Sequence, residues 1–385
     1  MKYRLTIIYS VLVLATVFLV PLDDLFQILI GRQPGGRMIA ELILLGLGMV
    51  LITHGGDLFT DSAVAIAKAT RIPPVIVGAT VVSMATTFPE FMVSFTGAIN
   101  GVPEFAVGNA LGSCCCNIGL IVGTCALLKG WLAKRRNEEP GIPANRVTLL
   151  GSGSFMLAAG VAVLIFSFFD SGNIVDKDGE PAEFAIVRWQ AIVLLMILAG
   201  YFFYSVRLAF LARYEPVSDE DEEIDPISKK EARLLFLKQI GAFLLGAVLV
   251  FLGSRLLVKN AESIAIAMEV PELWIGLTVL AIGTSLPEYT ISLIAVIKGH
   301  GSLGLGNIIG ANVLNICWVV ATCALVDPLV IKRQTVFLDG PVVMLLMSLL
   351  IFGPLKKERV TATLGGMMVA VYVAYYAAIF LFFGN

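Results

Sequence analysis

Apolar runs long enough to cross a lipid bilayer recur from one end of this 385-residue chain to the other, and nothing else in it constrains the fold as strongly. A hydrocarbon core about 30 Å thick takes about 20 apolar residues in a helix. Runs at or near that length lie at 5–21, 38–53, 75–98, 104–128, 147–168, 186–211, 234–252, 273–297, 302–325, 335–353 and 360–382. Lipid offers no partner to a backbone N–H or C=O, so such runs cross as helices. The expectation is an all-α polytopic membrane protein. With 58% hydrophobic and 15% charged residues, the chain carries more apolar surface than a soluble domain could use, and its net charge of −2 leaves no basic face for nucleic acid. The run at 5–21 follows Lys2 and Arg4 without a small-residue cleavage pattern before Pro21, so it reads as an extra N-terminal helix.

Orientation follows from the basic residues in the short loops. Lys129, Lys134, Arg135, Arg136 and Arg146 fall on one side with Lys229, Lys230, Arg233, Lys356, Lys357 and Arg359. That side reads as cytoplasmic, in the cell membrane of a bacterium or archaeon. The opposite side holds an acidic loop with Asp170, Asp176, Asp178, Glu180 and Glu183, although Lys332 and Arg333 fall there too. The stretch EPVSDEDEEIDPISKK, 215–230, is too charged to pack and reads as a solvated acidic linker. The chain thus divides into an N-terminal segment, 1–37; a first repeat, 38–212; the linker, 213–233; and a second repeat, 234–385.

Those halves are copies. A single offset of 198 (288 − 90) aligns 55–127 with 253–325 without a gap and pairs Thr86 with Thr284, Pro89 with Pro287, Glu90 with Glu288, Ser94 with Ser292, Gly108 with Gly306, Asn109 with Asn307, Gly112 with Gly310 and Asn117 with Asn315. Chance likeness between apolar segments would match Leu, Val and Ala; these are polar or conformationally special residues, which indicates duplication. The first span of one copy (38–53) and that of the other (234–252) are five spans apart, an odd number, so the copies enter the membrane from opposite faces. Inverted repeats place a binding site near the midplane where they meet.

VVSMATTFPEF (81–91) and VLAIGTSLPEY (279–289) each put a carboxylate inside an apolar span. An acidic residue at the centre of a membrane helix costs about 2.5–3.5 kcal/mol, so Glu90 and Glu288 should face a cation or a water-lined cavity. Neither has a basic residue within two helical turns. Ser83, Thr86, Thr87 and Glu90 share one helix face, and Thr284, Ser285 and Glu288 repeat the pattern. Each hydroxyl can act as a ligand or bond its own i−4 carbonyl. Pro89 and Pro287 lack an N–H, which frees the carbonyls of Ala85 and Gly283. Carboxylates, hydroxyls and loose carbonyls suit a hard cation such as Ca²⁺ or Na⁺.

In GNALGSCCCN (108–117) and GNIIGANVLN (306–315), the glycine pairs Gly108/Gly112 and Gly306/Gly310 read as close-packing positions. Asn109, Asn117, Asn307 and Asn315 could supply ligands or hold the carboxylates, and Ser113 is a further candidate oxygen. Cys114, Cys115 and Cys116 cannot converge on one ion because successive helical residues point about 100° apart, so they read as packing; like Cys125, Cys317 and Cys323 they lie inside apolar runs and not at the loop spacings of a disulfide framework. His54 and His300 read as solvated span ends.

The two motif pairs together resemble the alpha repeats of the cation/Ca²⁺ exchanger superfamily, in particular the short prokaryotic sodium/calcium exchangers. The resemblance runs from about residue 38 to the end. It implies two inverted bundles of five helices, with a central site formed by the second and third helix of each. It implies Glu90 and Glu288 as shared ligands of Ca²⁺ and Na⁺, Thr86 and Thr284 as Ca²⁺ ligands, and Ser83, Thr87, Ser113 and Ser285 as Na⁺ ligands. Ala281 would offer its carbonyl, and Asn117 and Asn315 would bond near the carboxylates. Four positions depart from the pattern: Ala85 and Thr87 replace a Gly and a Ser, Cys114 replaces an Asn, and Ala311 replaces a Ser. The expected function is Ca²⁺/Na⁺ antiport by alternating access, with no cofactor beyond the transported ions. Exchange of Ca²⁺ for H⁺ is the alternative, since Ala311 removes one Na⁺ ligand. An intramembrane enzyme with a Ser or Cys nucleophile would lack a base, and a transport-dead cation sensor would bind Ca²⁺ without flux.

Overall fold

The computed structural model describes residues 34–99, 105–169, 174, 182–213, 229–268, 283 and 285–383. The expected N-terminal helix at 5–21, most of the acidic loop, the linker from 215 to 228, and the candidate ligands Ala281 and Thr284 lie outside those residues.

The described chain is helical. The first half holds α1 (Pro34–Thr70), α2 (Pro74–Ile99), α3 (Ala106–Arg136), α4 (Arg146–Ser167) and α5 (Arg188–Arg213). The second holds α6 (Lys229–Ala267), α7 (Leu286–Ile297), α8 (Gly301–Val326), α9 (Thr335–Phe352) and α10 (Ala362–Phe383). Nine of these ten are long and apolar enough to cross a membrane; of the expected span at 273–297, the described part is the short α7.

The first spans of both copies are longer than their apolar runs suggest: α1 has 37 residues and α6 has 39. At 1.5 Å per residue α1 is about 55 Å long and extends past the hydrocarbon. Its polar extension is held by Lys298, whose Nζ lies 2.9 Å from Asp57 and 2.7 Å from Asp61. Partial burial opposes the charge on Lys298, yet its hydrogen bonds to Asp61 and Asp57 outweigh that and raise its pKa. The expectation for His54 is corrected accordingly: it sits inside α1, exposed, and not at a span end, whereas His300 does cap the start of α8.

The two copies are related by an approximate two-fold axis, visible in how α1 meets α6. A Cβ on Gly48 would lie 2.9 Å from the carbonyl oxygen of Gly253, and one on Gly246 would lie 2.9 Å from that of Gly55. Gly246 is the copy of Gly48, and Gly253 of Gly55, at the same offset of 198. Each contact is therefore the image of the other, as in an isologous interface. Numbering rises along α1 as it falls along α6, so the helices are antiparallel and the repeats inverted. Two short ribbons obey the same symmetry. β1 (Ile142–Pro143), after α3, pairs with β4 (Arg359–Val360), before α10; β2 (Ala185–Ile186), before α5, pairs with β3 (Leu329–Val330), after α8. At the β1–β4 end, Arg359 pairs with Glu139 and Arg146 Nε donates to the carbonyl of Leu355 at 3.1 Å, gathering the basic loops at one end of the bundle.

Candidate cation site

On α2, Ser83, Thr86, Thr87, Glu90 and Ser94 are buried, while Met84, Phe88 and Met92 are exposed. This is the i, i+3, i+4, i+7, i+11 stripe of a helix, turned so that its polar side faces protein and its apolar side lipid. Helix α8 comes close because Gly306 and Gly310 present bare backbone to Val75 and Ala79, and a side chain at Gly310 would also collide with the Ser83 hydroxyl. The packing role expected for these two glycines is what the structure shows; the copy of this contact, at Gly108 and Gly112, would involve residues outside the described set. At the crossing, α2 makes a π turn over Gly78–Val82, and the buried Tyr201 of α5 donates its hydroxyl to the carbonyl of Ala79.

Helix α2 runs through Pro89 without a break. Pro287 behaves differently and corrects the expectation of a helix continuing through it. It stands in the first turn of α7, after Ser285 at φ −91°, ψ 10°, where a missing N–H costs nothing.

These elements bring Glu90 and Glu288 against one another, with the Thr86 hydroxyl beside Glu288. Each glutamate is 1% exposed. Because Glu288 is the copy of Glu90, the pair lies on the axis relating the repeats. Among the described residues no ion pair reaches either one. Two like carboxylates buried without a cation are unfavourable, and a bound cation would relieve them.

Several buried oxygens of these elements have no hydrogen-bond partner. Glu288 Oε1 and Oε2, Glu90 Oε2, Thr87 Oγ1, Ser285 Oγ, Asn117 Oδ1 and Asn315 Oδ1 are all buried without a hydrogen-bond partner. The hydroxyls of Ser83 and Thr86 are bonded, but as donors: Ser83 to the carbonyl of Thr80 at 3.0 Å, and Thr86 to Asn307 Oδ1 at 3.1 Å and the carbonyl of Ser83 at 3.2 Å. A hydroxyl that gives its hydrogen to protein keeps lone pairs for an ion. Back-bonding and ligation, the two readings open for each hydroxyl, are thus compatible.

Asn117 is oriented by a residue that sequence reasoning missed. Asn312 Nδ2 donates to Met156 Sδ at 3.6 Å, and Asn312 Oδ1 accepts from Asn117 Nδ2 at 3.0 Å. With its amide nitrogen turned to Asn312, Asn117 has Oδ1 left without a partner. Asn117 and Asn315 each fall within the first two residues of a π turn, Cys116–Val122 and Asn315–Val320, an irregularity common at functional sites. The available signal was Cys114, which stands where the pattern has an Asn: its copy is Asn312, and the Cys114 thiol points at the Asn312 carbonyl, 3.8 Å away. Ser113 is buried one turn before Asn117, with no bond to either carboxylate. Asp339 was also missed; buried in α9, it accepts hydrogen bonds from Tyr375 at 3.1 Å and Gln334 at 3.3 Å.

The family model described as sodium/calcium exchanger protein matches residues 40–207 and 238–381, two segments that begin 198 residues apart. The chain belongs to the sodium/calcium exchanger family. Relatives of this exchanger include a putative antiporter, CaxA, of Alkalimonas amylolytica, 32% identical over 89% of this chain and 99% of its own. The sodium/calcium exchanger MaX1 of Methanosarcina acetivorans is 27% identical over 88% of this chain and 98% of its own. A solved structure of the sodium-calcium exchanger NCX_Mj superimposes with a TM-score of 0.70 at 24% identity, covering 89% of this chain and 99% of that one, and so shares its fold. The protein is therefore a multi-pass membrane antiporter of the cation/Ca²⁺ exchanger class.

Proposed function

We propose that the protein exchanges Ca²⁺ for Na⁺ by alternating access, with both ions competing for the Glu90–Glu288 site. The observation that carries this reading is the glutamate pair itself, buried on the two-fold axis without a basic partner among the described residues, its oxygens Glu90 Oε2, Glu288 Oε1 and Glu288 Oε2 unbonded. Two carboxylates match the charge of one divalent ion, and an all-oxygen donor set suits hard cations. In this reading Thr86, Asn117 and Asn315 add neutral oxygens for Ca²⁺, while Ser83, Thr87, Ser113 and Ser285 serve Na⁺. Ala281 and Thr284, outside the described residues, would complete the second copy's share.

Only one ion set fits between the two carboxylates at a time, so loading with Ca²⁺ on one side and Na⁺ on the other yields antiport without any covalent step. The names of the relatives support Na⁺ as the exchanged ion. Ala311 supports the alternative, since a hydroxyl is missing where the first copy has Ser113, and H⁺ could replace part of the Na⁺ load.

Radiolabelled Ca²⁺ uptake into proteoliposomes, with Na⁺ and pH gradients imposed separately, decides between them. Uptake driven by outward Na⁺ at equal pH is expected. Uptake that follows only the pH gradient would establish the proton-coupled alternative.

A further inference from the structure

Helix α1 lies across one face of α7, while the equivalent face of α2 is open. Phe59 and Ala63 of α1 share a buried cluster with Ile291 and Ala295 of α7. A Cβ on Gly56 would lie 2.5 Å from Ile294 Cδ1 and 2.9 Å from Thr290 Cγ2. At the offset of 198, Ile291 answers to Val93 and Thr290 to Met92. Ile291 is 1% exposed against 47% for Val93, and Thr290 is buried where Met92 is exposed. The first copy's leading helix thus covers the second copy, and α6 does not return the contact on α2.

Lys298 closes the end of that contact. Its Nζ lies 2.9 Å from Asp57 and 2.7 Å from Asp61, two carboxylates one helical turn apart on α1. The copies of these residues reverse the charge: Arg255 stands for Asp57, Lys259 for Asp61 and Asn100 for Lys298. When the repeats trade conformations, α6 comes to lie over α2 as α1 now lies over α7. Two cations then approach an amide, where one cation now meets two carboxylates. The attraction acts in one of the two conformations.

We infer that Lys298, Asp57 and Asp61 form a one-sided latch, which biases the exchanger toward the conformation with α1 closed on α7 and has no like-charged counterpart in the mirror conformation. The three side chains are partly exposed, so water and salt screen the attraction and the bias is a few-fold. A bias of that size still lets the cycle turn. It makes the two faces of the membrane unequal, because an ion that needs the less populated conformation binds with an affinity reduced by that fraction. The inference rests on the alternating-access reading proposed above.

The test reads the conformational balance without transport, from the distance between nitroxide spin labels at Ala69→Cys and Lys134→Cys in liposomes. Both positions are exposed, at the ends of α1 and α3, and the six native cysteines are buried. Helix α3 reports on α7 because Arg136 Nη1 donates to the Ile297 carbonyl at 3.0 Å. Lys298→Gln, and Asp57→Asn together with Asp61→Asn, should each raise the second distance relative to the first about fivefold, or about 1 kcal/mol. Lys298→Arg should keep the original balance, and Asp57→Lys with Asp61→Lys and Lys298→Glu should restore it. In flux assays the ratio of half-saturating Ca²⁺ at the two faces should change by the same factor in Lys298→Gln. An unchanged distance distribution in Lys298→Gln overturns the inference, and so do half-saturating concentrations that rise equally on both faces. Glu90→Gln separates the two claims: if it still exchanges Ca²⁺, the glutamate-site reading fails, whatever the spin labels show for Lys298.

Discussion

Among the described residues, the two repeats share polar residues at matching positions but differ in several of their bonds. In the first, Asn109 donates to Ser94 at 2.9 Å, within its own copy. The equivalent Asn307 accepts from Thr86 of the opposite copy, and among the described residues Ser292, the image of Ser94, reaches the Gly304 carbonyl at 3.5 Å. Helix α2 passes through Pro89, whereas α7 begins at Leu286, just before the matching Pro287. Equivalent sequences in inequivalent conformations are what alternating access between inverted repeats requires, because trading the two conformations turns the site to the other side. Contacts that join a residue to its own copy, such as Glu90 with Glu288, lie on the axis and keep their partners through that trade.

The strongest challenge to this comparison is at the axis. Glu90→Gln and Glu288→Gln should each lower Ca²⁺ exchange by at least about 100-fold, equally in spite of the asymmetry around them, because either removes one of two charges facing a divalent ion in low dielectric. Vesicle flux measures this, and an active variant of either kind would detach the transport site from the axis. Next is the crossing of α2 and α8. Gly306→Ala drives a methyl into the Val75 backbone, which cannot yield as a flexible side chain would, so a loss of roughly 1–3 kcal/mol is expected as a lower midpoint of thermal unfolding in detergent. A stability equal to wild type would mean that the helices are not in backbone contact.

Smaller effects sharpen the asymmetry. Asn307→Ala removes the acceptor that aims the Thr86 hydroxyl, and should raise the Ca²⁺ concentration for half-maximal exchange roughly tenfold, the worth of about one buried hydrogen bond. Asn109→Ala, whose bond stays inside its copy, should affect unfolding more than affinity. Equal affinity shifts in both would show that the transport cycle spends comparable time in the mirror-image state. Ala311→Ser restores the hydroxyl set of the first copy, and should lower the Na⁺ concentration for half-maximal exchange by a few-fold, with Ca²⁺ affinity changing less. No change in Na⁺ dependence, together with flux driven by pH alone, would favour proton coupling.

The amino-acid sequence by itself determined which segments enter the membrane, that the chain is a duplication, and that Glu90 and Glu288 are its costliest buried groups. These follow from local facts: run length against bilayer thickness, residue identity at a constant offset, and the expense of a carboxylate in hydrocarbon. Helical periodicity also placed Ser83, Thr86, Thr87 and Glu90 on one face, because that depends on one helix alone. The same rule showed that Cys114, Cys115 and Cys116 diverge, but not that the first turns toward the Asn312 carbonyl. Only the tertiary structure decided that, along with the pairing of Asn312 with Asn117, the reach of Tyr201 to Ala79, and the extension of α1 past its apolar run to meet Lys298. The reason is physical: periodicity fixes the angle between side chains on one helix, while the neighbour each one meets depends on how that helix is rotated and how closely others approach it. That approach is set by bare backbone at Gly48, Gly253, Gly306 and Gly310, and by a two-fold axis that exists only once the copies are folded together.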